Sequence, residues 1–274
     1  MRRLINRRPG RGAAVFLTAL PFILLIAAYL IGSDIRLAEN PRDKLLPSLS
    51  SMADAINEMA FTADRRSGKY LLWSDTGESL RRLGIGMALA TLIGITLGIG
   101  IGLIPVLRRA LSQFVATICL IPPLAILPIL FIVFGLGEVA KVALIVLGTA
   151  PVITRDIAQR VSEIPAEQLV KAQTLGANTW QIVMRVALPQ ALPRLVVAVR
   201  LSLGAAWLFL ISSEAIAATD GLGYRIFLVR RYLAMDIIIP YVAWITLLAF
   251  VIDQALRMLS ERAFRWSHLN GGGM

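Results

Sequence analysis

The chain has 274 residues, of which 57% are apolar by type and only 16% charged, with 28 basic side chains against 17 acidic ones. A soluble domain keeps roughly a quarter of its residues charged, so this composition excludes an ordinary soluble enzyme. The net charge of +11 would suit a nucleic-acid binder, but the charges fall between long apolar runs rather than along one polar face. A membrane protein with its basic segments on one side accounts for both numbers. One cysteine, Cys119, permits no intrachain disulfide, and the single His268 leaves no basis for a metal centre or a His-based triad.

A helix needs about 20 mostly apolar residues to cross roughly 30 Å of hydrocarbon. The first such run, residues 13–32, follows Arg2, Arg3, Arg7, Arg8 and Arg11 and reads as a retained anchor. A signal peptide is the alternative, but the run is long for one and no small-residue cleavage site follows it. Further runs lie at residues 83–104, 111–134, 139–153, 195–218 and 237–259. The expected fold is therefore an all-α, polytopic membrane bundle of about six transmembrane helices. With both termini inside, the cytoplasmic segments carry a net +10 and the outer ones +1, as the positive-inside rule requires. The expected division is an Arg-rich cytoplasmic start (1–12), a first transmembrane helix (13–32), an extracytoplasmic loop (33–82), a membrane core (83–260) containing a cytoplasmic loop (155–194), and a cytoplasmic tail (261–274).

In the 33–82 loop, Asn40-Pro41 marks a turn. From Ser48 onward, Leu49, Met52, Ile56, Met59 and Ala60 recur at helical spacing until Ser67-Gly68 breaks the pattern. Tyr70, Leu71, Leu72 and Trp73 read as an interfacial aromatic anchor. At this length the segment is expected to cap the bundle.

The second apolar run carries Gly84, Gly86, Gly94, Gly98, Gly100 and Gly102, with two small-xxx-small repeats on one face. Such spacing lets helix backbones approach closely in lipid, and packing is the expected role rather than substrate contact. The third run contains Pro122, Pro123 and Pro128. Prolines free backbone carbonyls, which survive at membrane depth only inside protein or along a wet cavity. A simple kink and a gate or path element are both open. In the fifth run Glu214 follows Ser212 and Ser213. A carboxylate at that depth faces a cavity or a partner, so a pathway role and a structural hydrogen bond to a neighbouring helix stand side by side. Arg200, about 21 Å away along the same helix, is expected to snorkel to the cytoplasmic interface.

The cytoplasmic loop is the most specific segment. Pro165 suits a helix start, Gly176 suits the left-handed position that ends a helix, and Asn178 can cap a second helix running through Trp180 until Pro189 stops it. Helix, glycine turn and helix make a protruding knob with an apolar face, suited to docking into another protein. A DNA-reading helix-turn-helix is disfavoured by the thin basic surface of Lys171, Arg185 and Arg194. A juxtamembrane hairpin without a partner is the plainer alternative.

This loop resembles that of the inner-membrane permease subunits of binding-protein-dependent ABC importers, whose pattern is Glu-Ala-Ala, three residues, Gly, nine residues, Ile-x-Leu-Pro. Ala172, Gly176, Val186, Leu188 and Pro189 fall on it, while Val170 and Lys171 stand where Glu and Ala are usual and Glu167 lies one turn earlier. The segments Ile121-Pro122-Pro123-Leu124-Ala125, Phe134-Gly135-Leu136-Gly137-Glu138 and Gly221-Leu222-Gly223-Tyr224 are similar to those of the branch importing nitrate, sulfonates and taurine. The resemblance implies a multi-pass protein of the bacterial inner membrane, in contact with lipid, working as a homodimer and forming the path for a small polar solute or a related nitrogen compound. It implies two ATP-binding cassette subunits and an extracytoplasmic solute-binding protein as partners, and no nucleic acid. ATP and Mg would be used by the partner ATPase, since this chain has no phosphate loop and is expected to bind no cofactor or metal and to hold no catalytic residue. The implied ATPase-coupling residues are Glu167, Val170, Lys171, Ala172, Gly176, Ala177, Trp180, Val186, Leu188 and Pro189; the candidate path residues are Pro122, Pro123, Pro128, Ser212, Ser213 and Glu214. The competing reading is a self-sufficient ion-coupled transporter or channel, against which stand the few charges within the runs.

Overall fold

In the computed structural model residues 10–40, 43–65 and 67–266 are described, and every regular element among them is helical. The arginines before Gly10, the turn at Pro41 and the single histidine lie outside the described residues. Among the described residues, five helices are long and apolar enough to cross a bilayer, and a bent pair can supply a sixth crossing.

Helix α1 (Arg11–Glu39) is longer than its apolar run and leaves that run uncovered by the rest of the chain. Only its outer end is tied down: the Tyr29 hydroxyl donates to the Pro47 carbonyl at 2.7 Å and Ser33 Oγ to the Leu46 carbonyl at 3.0 Å. Just beyond, the Leu45 amide and the Arg36 guanidinium hold the Asp43 carboxyl below the usual carboxylate range. Helix α2 (Leu49–Phe61) forms where the amphipathic spacing places it, with Ser48 accepting from the Ser51 amide. It packs on the outer half of the bundle as the cap the sequence suggests. Trp73 does more than anchor at an interface: its indole N–H donates to the Ala60 carbonyl at 3.1 Å, and its ring meets Trp244 edge-on at 5.6 Å.

Helix α3 (Leu71–Leu103) begins twelve residues before the expected second span, so residues 71–82 belong to a membrane helix rather than to the outer loop. Its charged first turns escape a hydropathy reading because their partners are distant in sequence. Helix α6 (Glu138–Ser162) likewise extends the short fourth run at its inner end. A Cβ added at Gly86, Gly94, Gly98 or Gly102 would fall 2.5–2.8 Å from Ile145, Ile153, Ile157 or Val161 respectively. The offset is 59 residues at every position, so α3 and α6 run parallel and in constant register. The glycine stripe is thus a packing surface, and β-branched side chains of α6 fill the space it leaves.

Parallel α3 and α6 require the chain between them to recross the layer. It does so through α4 (Pro105–Ile118) and α5 (Pro123–Phe134), which are bent by 96° across a short break. The third run, expected at residues 111–134 with a disturbance at its prolines, is thus a broken pair of helices that begins at Pro105. Pro122 and Pro123 cannot donate the backbone hydrogen bonds that would carry one helix through. Gly135, at φ 74, then ends α5, and Gly137 opens α6.

Helix α9 (Leu188–Ala217) returns outward, α10 (Leu222–Arg230) lies at the outer end, and α11 (Met235–Ala263) crosses last. Between them α3, α6 and α9 build most of the buried core, including Leu83, Leu144, Ile153, Ala206 and Leu210.

Placing Leu at position 98 would overpack the α3–α6 seam and should lower stability by about 1–3 kcal/mol. Gly84→Ala, at a site with no atom near the added Cβ, should leave it unchanged or raise it slightly. Thermal unfolding of the two variants in detergent checks the contrast.

Candidate functional site

The cytoplasmic knob starts with α7 (Ala166–Thr174), carrying Glu167 in its first turn and Lys171 in its last, which suits the helix dipole. Its end is a complete Schellman turn: the Gly176 amide donates to the Gln173 carbonyl at 2.9 Å and the Ala177 amide to the Ala172 carbonyl at 3.0 Å. Gly176 has φ +80, which a side chain would strain. Asn178 then opens α8 (Thr179–Ile182) with a capping box, its Oδ1 accepting from the Gln181 amide at 2.8 Å while its own amide donates to Gln181 Oε1 at 2.9 Å. Both bonds of the turn and both arms of the capping box are thus made within the knob.

The knob is rigid and its outer surface is apolar. Leu175 is 85% exposed and Trp180 67%, with Val170 and Met184 also exposed; Trp180 and Met184 border a groove shared with Ile99 and Leu103 of α3. Ile164, Ile182 and Ala187 form its buried underside, and Gln190 Nε2 donates to Gln168 Oε1 at 3.1 Å, tying α7 to α9.

One boundary differs from the sequence reading. Pro189 does not stop the second helix; α8 passes through a π turn (Val183–Ala187) directly into α9. The Leu188 amide reaches back five residues to the Val183 carbonyl. Widening the helix there makes room for a proline ring that a tight α-turn would exclude. Val186, Leu188 and Pro189 are thus part of the joint between knob and span, while Val170, Lys171, Ala177 and Trp180 belong to the knob itself.

Glu214 is fully buried at the outer end of α9 and meets partners, not a cavity. It accepts from Arg82 Nη1 at 2.9 Å, from Ser79 Oγ at 2.8 and 2.9 Å, and from the Gly223 amide at 2.9 Å. Arg82, itself buried, also makes a paired contact to Glu138 at 2.6 and 2.8 Å and reaches Asp220 Oδ1 at 2.5 Å. Lys141 adds a second cation on Glu138 at 2.8 Å. Beside this cluster Asp75 accepts from Arg225 Nε at 2.8 Å and from the Gly221 amide at 3.1 Å. Gly221, at φ +108, lies so close that a Cβ would be 2.6 Å from the Glu214 carboxyl carbon. The Gly-Leu-Gly segment is therefore the strap that closes α10 over the buried carboxylate.

Sequence reasoning picked out Glu214 but missed Arg82, Asp75, Ser79, Glu138, Asp220 and Arg225 as its neighbourhood. The available signal was the pair Arg81-Arg82 directly abutting an apolar run, one turn and more inside an unbroken helical pattern. Arg200 makes a paired contact with Asp253 on α11, both bonds 2.8 Å. Arg194 grips Asp156 on α6 in the same way at 2.7 and 2.5 Å.

The other path candidates are scattered. Pro122 and Pro123 sit at the α4–α5 bend beside the exposed Leu120 and Ile121. Pro128 is inside α5, with Leu127 and Leu130 packed into the core. Ser213 is buried and donates to the Leu210 carbonyl at 2.8 Å, whereas Ser212 is half-buried. The described residues contain no cluster of His, Cys, Asp and Glu side chains able to hold a metal ion.

Removing one member of a buried ion cluster leaves an uncompensated charge, so Glu214→Ala should destabilise the chain by about 3–5 kcal/mol. Glu138→Ala also strips a partner from buried Arg82 and Lys141, but Glu138 itself is 44% exposed, so water can reach the vacated position and a smaller loss of about 1–3 kcal/mol is expected. Unfolding in detergent, with protease cleavage near residues 218–224 as a local readout, distinguishes them.

Against known proteins, residues 90–265 match the family described as binding-protein-dependent transport system inner membrane component. The taurine transport system permease protein TauC of Escherichia coli is 35% identical over 195 residues, covering 71% of each chain. The bicarbonate transport system permease protein CmpB of Synechococcus elongatus is 29% identical, over 72% of this chain and 71% of that one. Among solved structures, an inward-facing form of the MetNI methionine ABC transporter aligns with a TM-score of 0.62 at 24% identity, covering 73% of this chain and 99% of the other. That likeness is one of fold. The match spans the knob, the broken third crossing and the strapped carboxylate alike, and the chain belongs to the inner-membrane components of binding-protein-dependent transport systems, as a permease subunit of an ABC importer.

Proposed function

We propose that two copies of this chain form the translocation path of an importer for a small polar solute of the sulfonate, taurine or nitrate kind, or a related nitrogen compound. Transport is driven by ATP and Mg in two partner ATPase subunits, and a solute-binding protein delivers substrate at the outer face. The chain itself carries out no catalysis. The names of the relatives support the substrate class, since taurine and bicarbonate are small and bear an anionic group.

The observation that carries the reading is the knob. A rigid helix–turn–helix with Leu175, Trp180, Val170 and Met184 held outward is a poor surface to leave in water and a good one to seat in a groove. With both termini inside, the knob faces the cytoplasm, where the ATPase would grip it. Glu167, Lys171, Ala172, Gly176 and Ala177 shape it, and Val186, Leu188 and Pro189 pass its displacement to α9. Pro122, Pro123, Pro128 and Ser212 are the path residues of this proposal. Glu214 serves transport by holding the outer end of α9 against α3, while Ser213 bonds within α9 to the Leu210 carbonyl. ATP binding shifts the two-state equilibrium only as far as the ATPase grips the two states differently, and the knob is where that difference is felt.

Gly176→Val places a β-branched residue at positive φ, a local strain of about 1–2 kcal/mol. It should abolish co-purification of the ATPase and ATP-driven taurine uptake, while membrane insertion and the helical signal stay normal. A pull-down from detergent-solubilised native membranes, followed by uptake into liposomes, reads both. Uptake by the chain alone, without any ATPase, would identify an ion-coupled carrier instead.

A further inference from the structure

Two polar cavities open at the inner end of the bundle, and they differ in charge. The larger, about 600 Å³, has Arg160 and Arg194 facing Asp156 and Glu163, so its cations are already matched. The smaller, about 270 Å³, lies between the end of α3, helix α4 and the last turns of α6. Arg108, Ser112, Thr154, Arg155, Gln159 and Ser162 supply its polar lining, and no carboxylate contributes.

The two arginines are held differently. Arg108 donates to the carbonyls of Ile101 and Gly102 at the end of α3, the first through Nε at 3.3 Å and the second through Nη2. Those bonds fix the guanidinium and leave its Nη1 edge free. Arg155 has no hydrogen-bond or ion-pair partner among the described residues. It lies seven residues before the end of α6, about 10 Å below the helix terminus. That is the depth from which a long cationic side chain reaches back to the headgroup layer. Thr154 and Ser162 donate to the Ala150 and Gln159 carbonyls and Gln159 Nε2 to Glu163, so the groups left to meet an anion are the two exposed guanidinium groups and the Ser112 hydroxyl.

We propose that this cavity binds a tetrahedral oxyanion head, phosphate or sulfonate, at the inner face of the membrane, with Arg155 and Arg108 as its cationic walls. The phosphodiester of an anionic phospholipid and a free oxyanion share this chemistry. Basic recesses between membrane helices on the cytoplasmic side suit the former.

The test uses the full-length chain in nanodiscs of phosphatidylcholine, with or without phosphatidylglycerol. Native mass spectrometry reads the retained lipid, and calorimetric titration with inorganic phosphate in the phosphatidylcholine discs reads a free anion. Wild type should retain phosphatidylglycerol in preference to phosphatidylcholine. Arg155→Gln should weaken that retention about five-fold, and Arg155→Lys should weaken it less. Arg109→Gln makes the same change in net charge on α4, outside the cavity lining, and should leave retention unchanged. Phosphate binding that is lost in Arg155→Gln, without lipid preference, would assign the site to a free anion. Equal behaviour of wild type and Arg155→Gln towards both probes overturns the proposal, and so does an equal effect of Arg109→Gln.

Discussion

A guanidinium withdrawn from water must be met by carboxylates at hydrogen-bonding distance, or its helix cannot stay packed. Arg82 is met by three: Glu138 from α6, Glu214 from α9 and Asp220 from the turn before α10. One side chain thereby fixes where three elements come together at the outer end of the bundle. Lys141, on the same cluster, follows Arg82 by 59 residues, the offset at which the α3 glycines meet the α6 branched side chains. The register demanded by the ions and the register demanded by close packing are the same. Slipping α3 by a turn would break both at once.

The inner end of α9 is held by different means. Arg194–Asp156 and Arg200–Asp253 have good geometry, but their side chains are partly exposed, and such pairs contribute little beyond orientation. Dry, multiply bonded contacts hold one tip of α9 and wet, paired contacts the other, while along its inner half Ala191, Leu195 and Ala198 share one buried cluster with Ile153, Ile157 and Val161 of α6. The knob is joined to this packed inner end, and the Gly221 strap closes the outer one.

Much of this was legible from composition and spacing. Continuous apolar runs located the crossings because the bilayer tolerates little else, and Gly176 with Asn178 located the knob because both ends of that turn have local chemistry. The ion cluster was not legible. Asp75, Glu138 and Arg225 sit in stretches that hydropathy assigns to water, and only the tertiary approach of distant segments turns them into an interior. The break at Pro122-Pro123 could be foreseen as a disturbance but not as a right angle, since proline fixes which bonds are missing and not what fills the space. Pro189 misled for the opposite reason: a π turn absorbed it.

That π turn also has a rotational consequence. Each residue of an α-helix advances the chain by about 100° around the axis, and a π turn is one residue wider than the turn it replaces. The direction in which Trp180 and Leu175 project, relative to the charged ladder of α9, is therefore set by an insertion-like feature within Val183–Ala187. Losing a single residue in that stretch would swing the knob about a quarter of a turn around the span while leaving both helices intact. The direction in which the knob projects is thus encoded in helical phase, in a segment anchored to the bundle by the buried Ala187.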